Sequence, residues 1–107
     1  MKLHVLSDLH FEFAPFELPA TDADVVVLAG DIDVGRRGLE VARAAGGRPV
    51  VYVAGNHEYY GHSIPGLTGE LVAATRGAGI HVLENEAVVI GGVRFLGCTL
   101  WTDFAAF

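Results

Sequence analysis

One cysteine, Cys98, stands in a chain of 107 residues, so no internal disulfide framework can form, and a reducing, cytoplasmic setting is the expectation. Long apolar runs are lacking too. Each is closed by Asp, Gly or Arg well short of the ~20 residues a membrane helix needs. Lys2, His4, Asp8 and His10 break the start of the chain before a secretory signal could form. Positive charge is scarce: seven Lys and Arg against 13 Asp and Glu leave a net charge of -6. With no basic stripe, a nonspecific grip on nucleic acid or anionic lipid is not expected. A phosphate substrate stays open, because bound divalent cations would invert the local field. Neither Gly-X-Gly-X-X-Gly nor Gly-X-X-X-X-Gly-Lys occurs, which excludes the usual dinucleotide and phosphate-loop modules. Repeats, low-complexity tracts and linkers are also missing, so residues 1–107 are treated as one unit.

What the chain does have is apolar residues. They make up 51% of it, and the mean hydropathy is +0.41, high for a domain with so much surface relative to its volume. Part of that apolar surface is expected to meet another surface. Residues 2–7, 24–29 and 49–54 form continuous apolar runs of the kind found in parallel strands covered on both faces. Between the second and third, Val34 to Gly46 carries a helical stripe of Leu39, Val41, Ala42 and Ala45, closed by Gly46-Gly47. Phe11 to Asp24, with Pro15 and Pro19, is expected to be a loop. A helix over 65–78 is predicted, with Pro65 in its first turn, Leu67, Leu71, Val72 and Ala74 inward, and Gly77 and Gly79 ending it. A short strand at Ile80 to Leu83 follows. Ala87 to Ile90, Gly91-Gly92 and Val93 to Leu96 then predict a hairpin that ends the purely parallel character of the sheet. The fold class is α/β, a mainly parallel sheet with flanking helices.

Three polar clusters interrupt these runs: Asp8-Leu9-His10, Gly30-Asp31 and Gly55-Asn56-His57-Glu58. Each follows a predicted strand, where open α/β sheets place their chemistry. Asp8 and His10, two apart, would share one side of an extended segment and converge on one ion. Gly55 allows a sharp turn that presents Asn56 and His57 at the rim. Asp, His and Asn offer oxygen and nitrogen donors without sulfur, suited to Mn, Fe or Zn. Buried together, such acceptors are costly without a cation. Asp31, on the strand expected in the middle, is best placed to lie between two ions. Glu58 is expected either to support His10 or His57 or to be a solvated acid, and Asp33, two residues after Asp31, is a lesser candidate for contact with the ligands. His4 would lie within the first strand, His62 and His81 outside any motif, and Cys98 as a small core residue in an apolar strand.

In order and spacing these motifs resemble the calcineurin-like metallophosphoesterase family, whose pattern is Asp-X-His, then Gly-Asp, then Gly-Asn-His-Glu or Gly-Asn-His-Asp. The Leu6-Ser7-Asp8-Leu9-His10 opening and Thr99-Leu100-Trp101-Thr102-Asp103 are similar to bacterial members. The resemblance implies the N-terminal half of an αββα sandwich and a dinuclear centre holding two divalent ions, manganese among the candidates. Asp8 and His10 would bind the first metal, Asp31 would bridge, and Asn56 would bind the second and touch the phosphate. His57 would be a general acid or phosphate-orienting group whose proton state is set by a nearby carboxylate. The implied reaction is hydrolysis of a phosphate mono- or diester, as in a phosphodiesterase, by a water or hydroxide held between the metals. A phosphorylated small molecule or ester is the implied substrate.

The family pattern also contains a later histidine and a Gly-His-X-His segment, and neither occurs here: no histidine follows His81. The chain is therefore expected to be a partial domain with a weakened metal site, low activity of its own, and a tendency to form homo-oligomers or to pair with a complementary half. A non-catalytic α/β scaffold that retains the motifs and works by binding a partner is the alternative reading.

Overall fold

The computed structural model describes residues 1–14, 17–45 and 47–100. Pro15, Gly46 and the Trp101-Thr102-Asp103 motif lie outside these described residues. Four strands, β1 (Leu3–Leu6), β2 (Val25–Ala29), β3 (Val50–Val53) and β4 (Ile80–Val82), form one sheet in the order β1-β2-β3-β4. All neighbours in it are parallel, with Leu3 opposite Val25, Val26 opposite Val50 and Val50 opposite Ile80. Sequential parallel strands need crossovers. Those after β2 and β3 carry the helices α1 (Leu39–Arg43) and α2 (Ile64–Thr75).

Strand alternation divides the core between two faces. Val26, Leu28, Val50, Tyr52 and Ile80 point to the helical side, where Ile32, Val41 and Ala42 meet them. Val25 and Val51 point the other way, against Leu83 and the inward side chains Val88, Ile90 and Phe95 of the hairpin β5 (Glu86–Ile90) and β6 (Val93–Gly97). The hairpin turns at Gly91-Gly92, both at positive φ (57° and 80°), as a two-residue turn requires. It is a sheet of its own rather than an antiparallel extension of the first. The layers are therefore helices, parallel sheet and hairpin.

Several local expectations change. Helix α1 spans only Leu39–Arg43, because Gly35 adopts φ +60° and residues 34–40 turn through Arg37 N to Val34 O and Leu39 N to Arg36 O bonds. The buried stripe of α2 is Leu67, Leu71 and Thr75. Val72, one residue and ~100° around from Leu71, is 38% exposed. Cys98 is exposed rather than core, since it continues the outward alternation of Arg94 and Leu96 while Phe95 faces in. His4 is half-buried in β1, His62 is exposed and His81 half-buried. The hairpin covers the sheet unevenly: Leu3 and Val5 on β1 remain 46% and 59% exposed.

Candidate metal and phosphate site

The carboxyl ends of β1, β2 and β3 lie side by side, and their loops are joined by backbone hydrogen bonds. Asp8 N donates to Gly30 O at 3.0 Å, His10 N to Asp31 O at 3.0 Å and Phe11 N to Ile32 O at 2.8 Å. Asp8, His10 and Asp31 all adopt left-handed backbone conformations, with φ of 55°, 51° and 53°. For residues with side chains this is uncommon and costly, and it persists where surrounding contacts over-determine it. Asp8 and His10 do approach each other, His10 Nε2 lying 3.6 Å from Asp8 Oδ1. They do so on a tightly turned segment, not through the extended spacing expected.

Ligand atoms of Asp8, His10 and Asp31 all lie within 4.8 Å of one another. Asn56 completes the group from the β3 side. One atom of its amide faces Asp31, 3.3 Å from Oδ1 and 3.2 Å from Oδ2. As the nitrogen, that atom donates to the carboxylate. As the oxygen, it is one more acceptor beside that carboxylate, the orientation in which the amide would serve with Asp31 as a metal ligand. The donor set therefore fits a hard or borderline divalent ion.

Glu58 has a different place from the ones expected. It is fully buried, and its carboxylate bonds to other groups than the His10 and His57 rings. Its Oε1 accepts from Asp31 N at 2.7 Å and Gly55 N at 2.8 Å, and its Oε2 from Ile32 N at 2.9 Å and the Tyr52 hydroxyl at 2.9 Å. One carboxylate thus ties the β2 loop to the β3 loop and holds Asp31 by its main chain. Burial pushes the Glu58 carboxyl above the usual range, and the bonds from Ile32, Gly55, Tyr52 and Asp31 pull part of that shift back. Burial, then Glu58, also pushes the Tyr52 phenol up. On the far side of Asp31, His57 N donates to Oδ1 at 2.9 Å. Asp33 is buried and accepts from its neighbour Val34 N at 2.6 Å; it takes no part in the ligand cluster.

Glu12, outside all three motifs, also enters the site. Its Oε1 lies 2.7 Å from His57 Nδ1 and 3.2 Å from His10 Nδ1. The hydrogen bond to Glu12 raises the His10 pKa. Burial alone would push the Glu12 carboxyl up, but the hydrogen bonds from His57 and His10 hold it below the usual range. Tyr60 and Phe13 flank His57 with ring centroids at 4.5 Å and 6.1 Å. Gly30 and Gly55 let the two loops meet: a Cβ at Gly30 would stand 3.1 Å from Gly55 Cα. From the hairpin side, the Thr99 hydroxyl donates to Ala54 O at 2.6 Å, fixing the end of β3.

A parallel α/β sheet with oxygen and nitrogen ligand atoms gathered at adjacent strand ends defines an α/β protein with a candidate metal site. The family model for calcineurin-like phosphoesterase matches residues 1–96, and the chain belongs to that family of metal-dependent phosphoesterases. No curated protein matches the chain. Among the described residues, no helix is long and apolar enough to cross a membrane.

Proposed function

We propose that the chain carries the first part of a dinuclear phosphoesterase site acting on phosphate mono- or diesters. Asp8, His10, Asp31 and Asn56 serve as ligands in it, and His57 as the group that orients phosphate and protonates the leaving oxygen. The observation that supports this best is the gathering of the Asp8, His10 and Asp31 ligand atoms within 4.8 Å of one another, with the Asn56 amide beside the Asp31 carboxylate. Divalent cations, with Mn, Fe and Zn suited to these donors, supply Lewis acidity toward phosphate and make an attacking water more acidic. Asp31 lies in the loop after the inner strand β2, between the other two loops, the position from which one carboxylate reaches two ions. Residues 1–107 act as one domain in this reading. Ligands beyond Asp8, His10, Asp31 and Asn56 are needed for two firmly held ions, so the chain by itself turns over substrate slowly.

Purified with Mn present, the protein is expected to retain metal by inductively coupled plasma analysis and to hydrolyse a chromogenic phosphodiester only when cation is present. Asp31→Asn should abolish that turnover and lower metal affinity by more than the ~10–100-fold that loss of a supporting group causes. Retention and turnover that are indifferent to Asp31→Asn would rule the reading out.

The bare strip of β1 gives this reading a partner. Leu3 and Val5 lie uncovered on the sheet face that the hairpin shields elsewhere, and Leu96 on the hairpin is 74% exposed. Full burial of each such side chain is worth about 1.5–3 kcal/mol, so the chain is expected to associate, with itself or with a complementary polypeptide. Light scattering at high micromolar concentration should report at least a dimer, weakened by Val5→Lys. A strictly monomeric wild type contradicts it.

A further inference from the structure

Two histidines from different loops end on one oxygen atom. His10 follows β1 and His57 follows β3, their ring centroids are 4.4 Å apart, and the Nδ1 of each faces Glu12 Oε1, at 3.2 Å and 2.7 Å. The Glu12 side chain is only 11% exposed, and its Oε2 is buried with no hydrogen-bond partner among the described residues. A carboxylate this buried needs donors, and the two rings supply them beside a backbone N–H. Because an ionised carboxylate only accepts, both Nδ1 atoms must carry their hydrogens toward it. In the neutral rings the lone pairs are then on the two Nε2 atoms. His10 Nε2 is the nitrogen that lies beside Asp8, 3.6 Å from Oδ1.

We propose that Glu12 is a shared positioning residue, fixing both His10 and His57 in the Nδ1–H tautomer so that one carboxylate oxygen orients the metal-ligand ring and the phosphate-facing ring together. This rests on the functional reading above for the roles of the two rings, but not for the tautomers themselves. A ligating histidine is usually oriented by what its other nitrogen donates to; here that partner is common to a second histidine. The Nδ1–H of His57 stays on Glu12 whether the ring is neutral or protonated, which confines proton exchange to Nε2. Movement of either loop would disturb both rings, so cation binding at His10 and the aim of His57 are mechanically tied.

Long-range 1H–15N correlation on the metal-free protein, at a pH raised until the ring signals stop shifting and the imidazoles are neutral, reads the tautomers directly. Wild type is expected to show Nδ1–H at both His10 and His57. Glu12→Ala should return both rings to the Nε2–H form that free imidazole favours and lower Mn affinity ~10–100-fold. Glu12→Gln can set its one amide oxygen at the Oε1 position that both rings address, so it should keep both rings in the Nδ1–H form. Nε2–H at both rings in wild type, tautomers unchanged in Glu12→Ala, or a Glu12→Ala affinity for Mn within twofold of wild type would overturn the proposal. So would Zn titration that binds at His10 Nδ1 instead of Nε2. Should Glu12→Ala fail to fold, the wild-type spectrum still decides. A wild type with both Nδ1–H tautomers that retains no cation refutes the phosphoesterase reading and leaves the tautomer assignment standing, so the two failures are distinguishable.

Discussion

Glu58→Ala is expected to cost the protein at least about 3 kcal/mol of unfolding free energy, a large share of the 5–15 kcal/mol typical of a domain. The alanine removes both acceptor oxygens at a site with no exposure. Asp31 N, Ile32 N and Gly55 N lose their partners, as does the Tyr52 hydroxyl. Each buried donor left unpaired costs about 1–3 kcal/mol, and the emptied volume adds to that. Glu58→Gln makes the more informative comparison. Its oxygen can take the Oε1 position and keep Asp31 N and Gly55 N. Its NH2 then lies at the Oε2 position, where the Tyr52 hydroxyl can rotate to accept but Ile32 N cannot. One orphaned donor remains, and the expected loss falls to about 1–3 kcal/mol. Urea denaturation followed by circular dichroism should rank wild type above Gln and Gln above Ala. Ala and Gln both within about 0.5 kcal/mol of wild type, the range of an ordinary surface change, would remove Glu58 from the centre of this account.

Glu58 also shows where sequence stops being informative. Its partners are three backbone N–H groups, on Asp31, Ile32 and Gly55. Every residue except proline carries such a donor, so no side-chain pattern can announce them. An acid at the end of a motif full of ligands is naturally assigned to a neighbouring imidazole; only the three-dimensional approach of two loops reveals that it serves the main chain. Glu12 was hidden for a related reason. Its nearer histidine in space, His57, is 45 residues away in sequence, and the loop between β1 and β2 has no periodicity to say which side chain turns inward.

The strands, by contrast, were legible because burial on both faces demands continuous apolar runs, which Val25–Ala29 and Val50–Val53 supply. Paired glycines at positive φ made the hairpin equally plain. Errors arose where one residue's rotation decides the outcome. Val72 and Cys98 are apolar in composition, but each sits one step around from a buried neighbour, outside the stripe that faces the core. The order of motifs along the chain offered Asp8, His10, Asp31 and Asn56 as candidate ligands, and the structure brings these side chains together at adjacent strand ends. That order could not give the left-handed turns of Asp8, His10 and Asp31, which depend on hydrogen bonds between loops.

Those same loops make Gly55→Ala the second substitution with a large expected effect. A Cβ at position 55 would fall 2.2 Å from Asp31 Oδ1, 2.6 Å from Asp31 N and 2.9 Å from Asp31 Cγ. None of these atoms is free to retreat. Asp31 N is held by Glu58 Oε1, and Oδ1 accepts from His57 N. Relief of the clash must break at least one of those bonds and displace the carboxylate proposed to lie between two cations. Overpacking of this kind costs about 1–3 kcal/mol. The effect on Mn affinity should be larger in proportion, a loss of at least ~10–100-fold by analogy with removal of a group that orients a ligand. Gly69→Ala supplies the contrast. Gly69 lies inside α2 with no atom within 4 Å of a built Cβ, and alanine there should stabilise the helix by about 0.5–1 kcal/mol and leave metal binding unchanged. Isothermal titration with Mn alongside thermal melts separates the two glycines. If Gly55→Ala binds Mn as Gly69→Ala does, the close approach of the β2 and β3 loops is not what sets Asp31 in place.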